Sequence, residues 1–237
     1  MKLQIALIGT LTVAAISPLS ANAGVVTGGG LLSNSAADQL ENWLGSGDLN
    51  FTNIWSGTVG ASSISWHASV DNAGPTLSIY DISVGTSRYL IGGYTDNNWY
   101  RSGSPGYQAD NDAFIFNLTT GIVKRNSESL SSTAQYAIYA APGHFATFGG
   151  GHDIYGGENI LGAPLNGWAF PGFSYGPYLA GNIINGDPSV PFFTVNSLET
   201  YTFAPAPQSQ DLPAPTPLAL IGLGVAGIWF GRRSKRE

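Results

Sequence analysis

The chain is 237 residues long, carries a formal net charge of −6, and contains no Cys and one Met, Met1. Without thiols it has no disulfide, no cysteine nucleophile and no thiolate metal ligand. Between Gly24 and Asp211 only Arg88, Arg101, Lys124 and Arg125 stand against fourteen acidic residues, so that stretch lacks the clustered positive charge that binding to nucleic acid or an anionic membrane needs.

In chain order, Lys2 precedes the apolar run Leu3 to Ile16, and Ala21-Asn22-Ala23 offers a small-residue cleavage site ahead of Gly24. Residues 1–23 therefore read as a secretory signal peptide. A glycine-rich lead-in follows over 24–36, with Gly28, Gly29 and Gly30 together. In LLSNSAADQLENWLG, the residues Leu32, Ala36, Leu40, Trp43 and Leu44 recur near helical spacing and Gly45 supplies a stop, which predicts one amphipathic helix. The signal then turns to short β-rich runs split by Gly, Asn, Asp and Pro: NFTNIWSG, TLSIYDIS, RYLIGGYT, AFIFNL, TAQYAIYA and LETYTF. A second, short helix is expected around Trp66 and His67. TLSIYDIS alternates imperfectly, as a half-buried strand does, and AFIFNL is uniformly apolar, as a central strand is. The stretch ILGAPLNGWAFPGFSYGPYLAGNIINGDPSVPFF is dense in Gly, Pro and aromatics without a period, and is expected to be a long ordered loop region. These elements predict a mainly β, α+β fold: a two-sheet antiparallel β-sandwich with flanking helices.

Closely spaced prolines make 204–211 a semi-extended spacer. The segment 212–237 joins Pro213-Ala214-Pro215, an apolar run from Leu218 to Phe230, and the basic residues Arg232, Arg233, Lys235 and Arg236, which act as a stop on the cytoplasmic side. The apolar run is 13 residues, short of the roughly 20 a spanning helix needs, so a transient, cleavable anchor is expected. These three ordered parts resemble the PEP-CTERM sorting signal of Gram-negative bacteria, with Ala214 where that motif has Glu. The resemblance implies an exosortase-type processing enzyme and the export machinery as partners, an inner-membrane intermediate, and delivery to the cell surface or extracellular matrix.

Six further pieces occur in order: IWSGTVGASSISWH, DNAGPTLSIYDI, YLIGGYTDNNWY, DNDAFIFNL, FGGGHDIY and FFTVNSLETYTF. Together they resemble the TLDc domain, the module shared by TBC- and LysM-associated proteins and by eukaryotic oxidation-resistance proteins, over residues 37–203. The resemblance implies a two-sheet β-sandwich flanked by helices, no agreed cofactor and no established catalytic mechanism. It also implies a link to oxidative-stress protection and, in eukaryotes, to the vacuolar proton pump, a partner not expected outside a bacterial membrane. Where many members have Gly-Glu before the Phe-rich strand, this chain has Asn111-Asp112.

The candidate reactive residues are His152 and Asp153, directly behind Gly149-Gly150-Gly151, with Glu158 nearby. One reading makes the glycine N–H groups an anion cradle and His152–Asp153 a base with its orienter. The favoured reading is structural: neighbouring side chains of an extended chain diverge, and the glycines permit positive φ or a close passage. His67, His144 and His152 lack ligand spacing, so no metal is expected. Asp71, Asp96, Asp110, Asp112, Asp153 and Glu158 form no contiguous calcium-loop pattern. Trp43, Trp55, Trp66, Trp99 and Trp168 read first as core, with a sugar-stacking platform as the second reading. Within Asn97-Asn98-Trp99-Tyr100-Arg101, polar flanks predict an exposed contact surface formed by Trp99, Tyr100 and Arg101. Nucleophile-elbow, phosphate-loop and dinucleotide motifs are missing.

The expected function is therefore a non-catalytic interaction or protective module of the envelope or extracellular matrix, needing no cofactor and binding an envelope protein or polysaccharide. The alternative is an extracellular hydrolase or glycan-binding protein with its site near His152, Asp153 and Glu158.

Overall fold

A computed structural model describes residues 24–99, 105–129, 133–162 and 167–207. The chain divides into two units, Met1–Ala206 and Pro207–Glu237, and the first carries every element named below. The signal segment 1–23, the motif Pro213-Ala214-Pro215 and the basic cluster Arg232 to Arg236 lie outside the described residues. Among the described residues no helix is long and apolar enough to cross a membrane.

The predicted helix is α1 (Asn34–Leu44), and its ends follow the local chemistry. Ser33 Oγ accepts from the Ala36 backbone N–H, and Gly45 closes the helix at φ 69 with its N–H on the Glu41 carbonyl. The expected short helix is α2 (Ser63–Val70), capped by the Ser62 hydroxyl.

Strand β1 (Val26–Thr27) runs parallel to β2 (Leu49–Thr58). β3 (Thr76–Val84) and β4 (Ser87–Thr95) form a hairpin. β5 (Gly106–Gln108), β6 (Phe114–Asn117), β7 (Ile122–Arg125), β8 (Ile138–Ala140) and β9 (Gly167–Trp168) are short, and β10 (Phe192–Pro205) spans 14 residues. The large sheet has the order β1-β2-β10-β3-β4-β6-β7, with β9 paired to β10, and β5-β8 is a separate pair. The fold is thus the expected β-rich α+β sandwich, with two differences. The sheet is mixed, not wholly antiparallel, because β1 joins in parallel, and the second layer is mostly irregular chain built around one two-stranded sheet.

Each face of the large sheet carries its own core. One holds Leu32, Ala37, Leu40, Phe51, Leu77, Ile79, Phe114, Phe116 and Tyr201 beneath α1. The other holds Trp66, Tyr80, Ile82, Ile115, Phe145, Phe148, Phe193 and Leu198 beneath α2 and the loop layer. β6 therefore buries Phe114 and Phe116 on one face and Ile115 on the other, as its uniform apolar run requires. β3, expected to be half-buried, is instead buried on both faces, because Leu77 and Ile79 enter one core and Tyr80 and Ile82 the other. Its polar side chains are matched: Ser78 Oγ meets Thr200 Oγ1 at 3.1 Å, and Asp81 pairs with Arg88.

Candidate functional site

The glycine-histidine stretch is a tight reversal. Phe148 and Ile154 exchange backbone hydrogen bonds at 3.0 and 3.1 Å, which leaves 149–153 to turn the chain. The turn needs left-handed backbone at three positions: Gly149 (φ 84), Gly151 (φ 76) and His152 itself (φ 63). Gly150 is glycine for space, since a Cβ there would sit 2.8 Å from the Phe173 ring and 3.1 Å from Tyr136 Cβ. An anion cradle is not what these N–H groups form. Gly149 N–H donates to the Ala137 carbonyl at 2.8 Å and Gly150 N–H to Ser174 Oγ at 2.9 Å.

The reversal sends the two candidate side chains opposite ways. Asp153 is 0% exposed and accepts from the Phe173 and Ser174 backbone N–H groups, each at 2.7 Å. Burial pushes its carboxyl up to about 7, against the stabilising pull of those donors and of Lys124. His152 turns outward and stacks on Tyr155, with centroids 5.2 Å apart and planes 17° from parallel. Burial lowers its basicity, an effect that the nearby Gly149 carbonyl opposes. His152 Nδ1 is enclosed, and no hydrogen bond is completed to it. Glu158 pairs with His144, whose Nε2 lies 3.9 Å from Glu158 Oε2; burial lowers the basicity of His144 as well. The three proposed reactive residues therefore do not converge on one point.

The remaining carboxylates and histidine brace local structure. His67 Nε2 donates toward the Ala141 and His144 carbonyls at 2.9 and 3.0 Å, while Nδ1 faces Asp71 at 2.7 Å, so α2 is clamped to the loop layer. Asp110 accepts from Thr95 Oγ1 and the Asp96, Asp112 and Ala113 N–H groups at 2.7 to 3.1 Å. Among the described residues no group of three or more His, Asp or Glu is placed to hold a metal ion.

Residues 27–204 match the TLDc domain family. The chain belongs to the TLDc family. No curated protein matches it at a significant level.

Within this TLDc domain the expected contact surface at Trp99 is corrected. Trp99 is 1% exposed; it packs edge-on to Trp66 at 5.0 Å and Phe148 at 5.5 Å, and its Nε1 donates to Thr76 Oγ1 at 2.9 Å. Its polar neighbours serve other backbone: Asn98 Oδ1 accepts from Gly74 N–H and Asn97 Nδ2 donates to the Ala109 carbonyl. Tyr100 and Arg101 lie outside the described residues.

Sequence reasoning missed how the rings are brought together. An isolated antiparallel bridge between Tyr155 and Trp168, closed by two 3.0 Å backbone hydrogen bonds, sets these rings 4.0 Å apart. His152 lies 5.8 Å from Trp168 and 5.7 Å from Tyr139, and Tyr139 lies 5.0 Å from His144 and 4.9 Å from Tyr107. A TLDc surface of mostly half-buried rings thus surrounds the half-buried His152. On the α1 side of the sheet, a separate cleft of about 390 Å³ is lined by Trp43, Tyr94, Asp112, Phe114, Arg125 and Phe203. Arg125 closes one wall by donating to the Trp43 carbonyl and lying 5.3 Å over the Phe114 ring.

Proposed function

We propose that this TLDc protein is exported and acts by binding, not by turnover, as an interaction or protective module of the cell envelope or extracellular matrix. The observation that carries this reading is the position of Asp153. A base needs an orienting carboxylate beside it and access to substrate, whereas Asp153 is fully buried, spends both oxygens on the backbone of Phe173 and Ser174, and faces away from His152. Glu158 is solvent-facing, with 52% of its side chain exposed, and offers no shielded acid. Protection of the kind linked to eukaryotic TLDc proteins would here act through a bound partner, because the chain has no thiol to oxidise.

Export is supported by Lys2, the apolar run behind it and Ala21-Asn22-Ala23. Sorting by an exosortase-type enzyme, through an inner-membrane intermediate to the cell surface, is supported by Pro213-Ala214-Pro215, the short apolar run and the basic end. Fractionation of native cells with domain-specific and tail-specific antibodies tests both. Domain lacking its tail is expected in the envelope or medium. Full-length chain in the cytosol would contradict export, and tail still joined to domain at the surface would contradict processing.

A further inference from the structure

We infer that the ring surface formed by Tyr107, Tyr139, His144, His152, Tyr155 and Trp168 is a binding site for a neutral polysaccharide chain. This rests on the reading of the domain as a binding module and names its ligand class.

The rings are continuous. Trp168, Tyr155, His152, Tyr139 and Tyr107 follow one another at 4.0, 5.2, 5.7 and 4.9 Å, and His144 lies 5.6 Å from Tyr155 and 5.0 Å from Tyr139. Phe145, Phe148 and Ile154, each 0% exposed, close the core beside them, and Tyr155 belongs to that core. Tyr155 is 6% exposed, and the other five rings are partly open to solvent. Rings held against one another are rigid, so a ligand that covers them orders little side-chain freedom. The other five rings lie 5.2 to 6.4 Å from His152, a compact patch that would meet one stretch of a polymer chain.

The rim settles the chemistry. The hydroxyl-bearing rings of Tyr139 and Tyr155 lie 5.0 and 5.6 Å from the His144 imidazole, whose Nε2 faces Glu158 at 3.9 Å. Neutral donors and acceptors therefore border an apolar ring surface, with Glu158 as an added acceptor. A sugar ring presents the matching pair: a C–H face for the aromatic faces, and hydroxyls that both donate and accept around its edge. The described cations are engaged elsewhere, Arg88 with Asp81, Lys124 with the Gly181 carbonyl and Arg125 with the Trp43 carbonyl, and Glu158 on the rim opposes a polyanion. An organic ammonium could use the ring faces but would leave the tyrosine hydroxyls and imidazoles unmatched.

The test is affinity electrophoresis of the full chain in detergent, in native gels cast with mixed-linkage β-glucan, dextran or galactomannan, with alginate as the anionic comparison. Retardation by at least one neutral polysaccharide is expected, unaffected by choline. Trp168→Ala should weaken it about tenfold or more, the effect of losing one stacked ring, and Tyr139→Phe by a smaller factor. Trp168→Tyr keeps a ring and should retain most of the binding, which separates lost stacking from lost folding. Ile64→Ser, at a position 75% exposed on α2, should change nothing. Absence of retardation by all three neutral polymers, retardation by alginate alone, competition by choline, or equal retardation of wild type and Trp168→Ala each overturns the inference while leaving the binding-module reading intact. Release of new reducing ends from a retained polymer would uphold the ligand class and overturn binding without turnover.

Discussion

Two buried carboxylates tie glycine-rich segments down, and their settings differ. Glu199, 8% exposed, lies on β10 and accepts from Gly30 N–H at 2.9 and 3.0 Å, from Leu31 N–H at 2.8 Å and from the Tyr201 hydroxyl. Asp153, 0% exposed, lies in the loop layer and takes the Phe173 and Ser174 N–H groups. Each has a left-handed glycine against it, Gly29 (φ 72) and Gly149 (φ 84). Glu199 is also held by strand pairing on both sides, opposite Ser56 and Ile79. Asp153 sits in irregular chain, beside the short Phe148–Ile154 exchange and single bonds from the Phe170 N–H to the His152 carbonyl and from the His152 N–H to the Gly149 carbonyl. On the sheet the carboxylate adds a tie to structure that exists without it; in the loop layer the carboxylate organises the structure.

The sharpest way to break this comparison is to remove both ties. Asp153→Ala leaves two buried N–H groups unpaired and should cost about 3–5 kcal/mol, a loss of roughly 10 °C in unfolding midpoint for a domain of this size. Glu199→Ala opens a site closer to solvent and should cost about 1–3 kcal/mol, with faster amide exchange confined to Gly30 and Leu31. Circular dichroism melts and hydrogen exchange measure the two. Equal losses would show that strand pairing does not support Glu199.

The same contrast marks what could be read from the sequence. Helix α1 was legible because the apolar spacing and Gly45 each act within a few residues, and β6 because Phe114, Ile115 and Phe116 are apolar in succession. The order β2-β10-β3, in which the last strand enters the middle of the sheet, depends on contacts across the whole chain and leaves no local mark. Trp99 was misread because Asn97 and Asn98 look like solvent-facing polar flanks, whereas their amides bind neighbouring backbone. The divergence of His152 and Asp153 was expected from the alternation of extended chain, but the structure produces it by a reversal with His152 at φ 63. The ring surface was not, since it requires Tyr155 and Trp168 to pair across a loop.

Asp153 gives the loop layer a pH dependence. Its folded carboxyl is pushed up from 3.8 to about 7 by burial, so between these values the folded state keeps a proton that the unfolded chain releases. The stability this group adds is complete below about 3.8 and is lost as pH rises through about 7. Relative to Asp153→Asn, the wild-type unfolding free energy should therefore climb as pH falls from about 8 to 5, by an amount on the order of a few kcal/mol. A difference that is flat or falls with acidification would mean that the two N–H donors outweigh burial and keep the carboxylate ionised.

The glycines sharpen the contrast at lower cost. Gly149→Ala would drive a Cβ against a carboxylate pinned by two backbone donors, and should cost about 2–4 kcal/mol, whereas Gly29→Ala should cost about 1–2 kcal/mol because the lead-in is exposed and can shift. Denaturant midpoints distinguish these values, and a reversed order would place the rigid tie at Glu199.

The smallest effect is expected from Tyr201→Phe. It removes the hydroxyl that donates to Glu199 but leaves the ring buried and the Gly30 and Leu31 donors in place. The loss should be about 1 kcal/mol, the net worth of one ordinary intramolecular hydrogen bond, without faster exchange at Gly30 or Leu31. Were Tyr201→Phe as damaging as Glu199→Ala, the hydroxyl would be what orients the carboxylate. The lead-in would then hang on one side-chain pair within β10, and its attachment would be as local and as breakable as the one Asp153 makes in the loop layer.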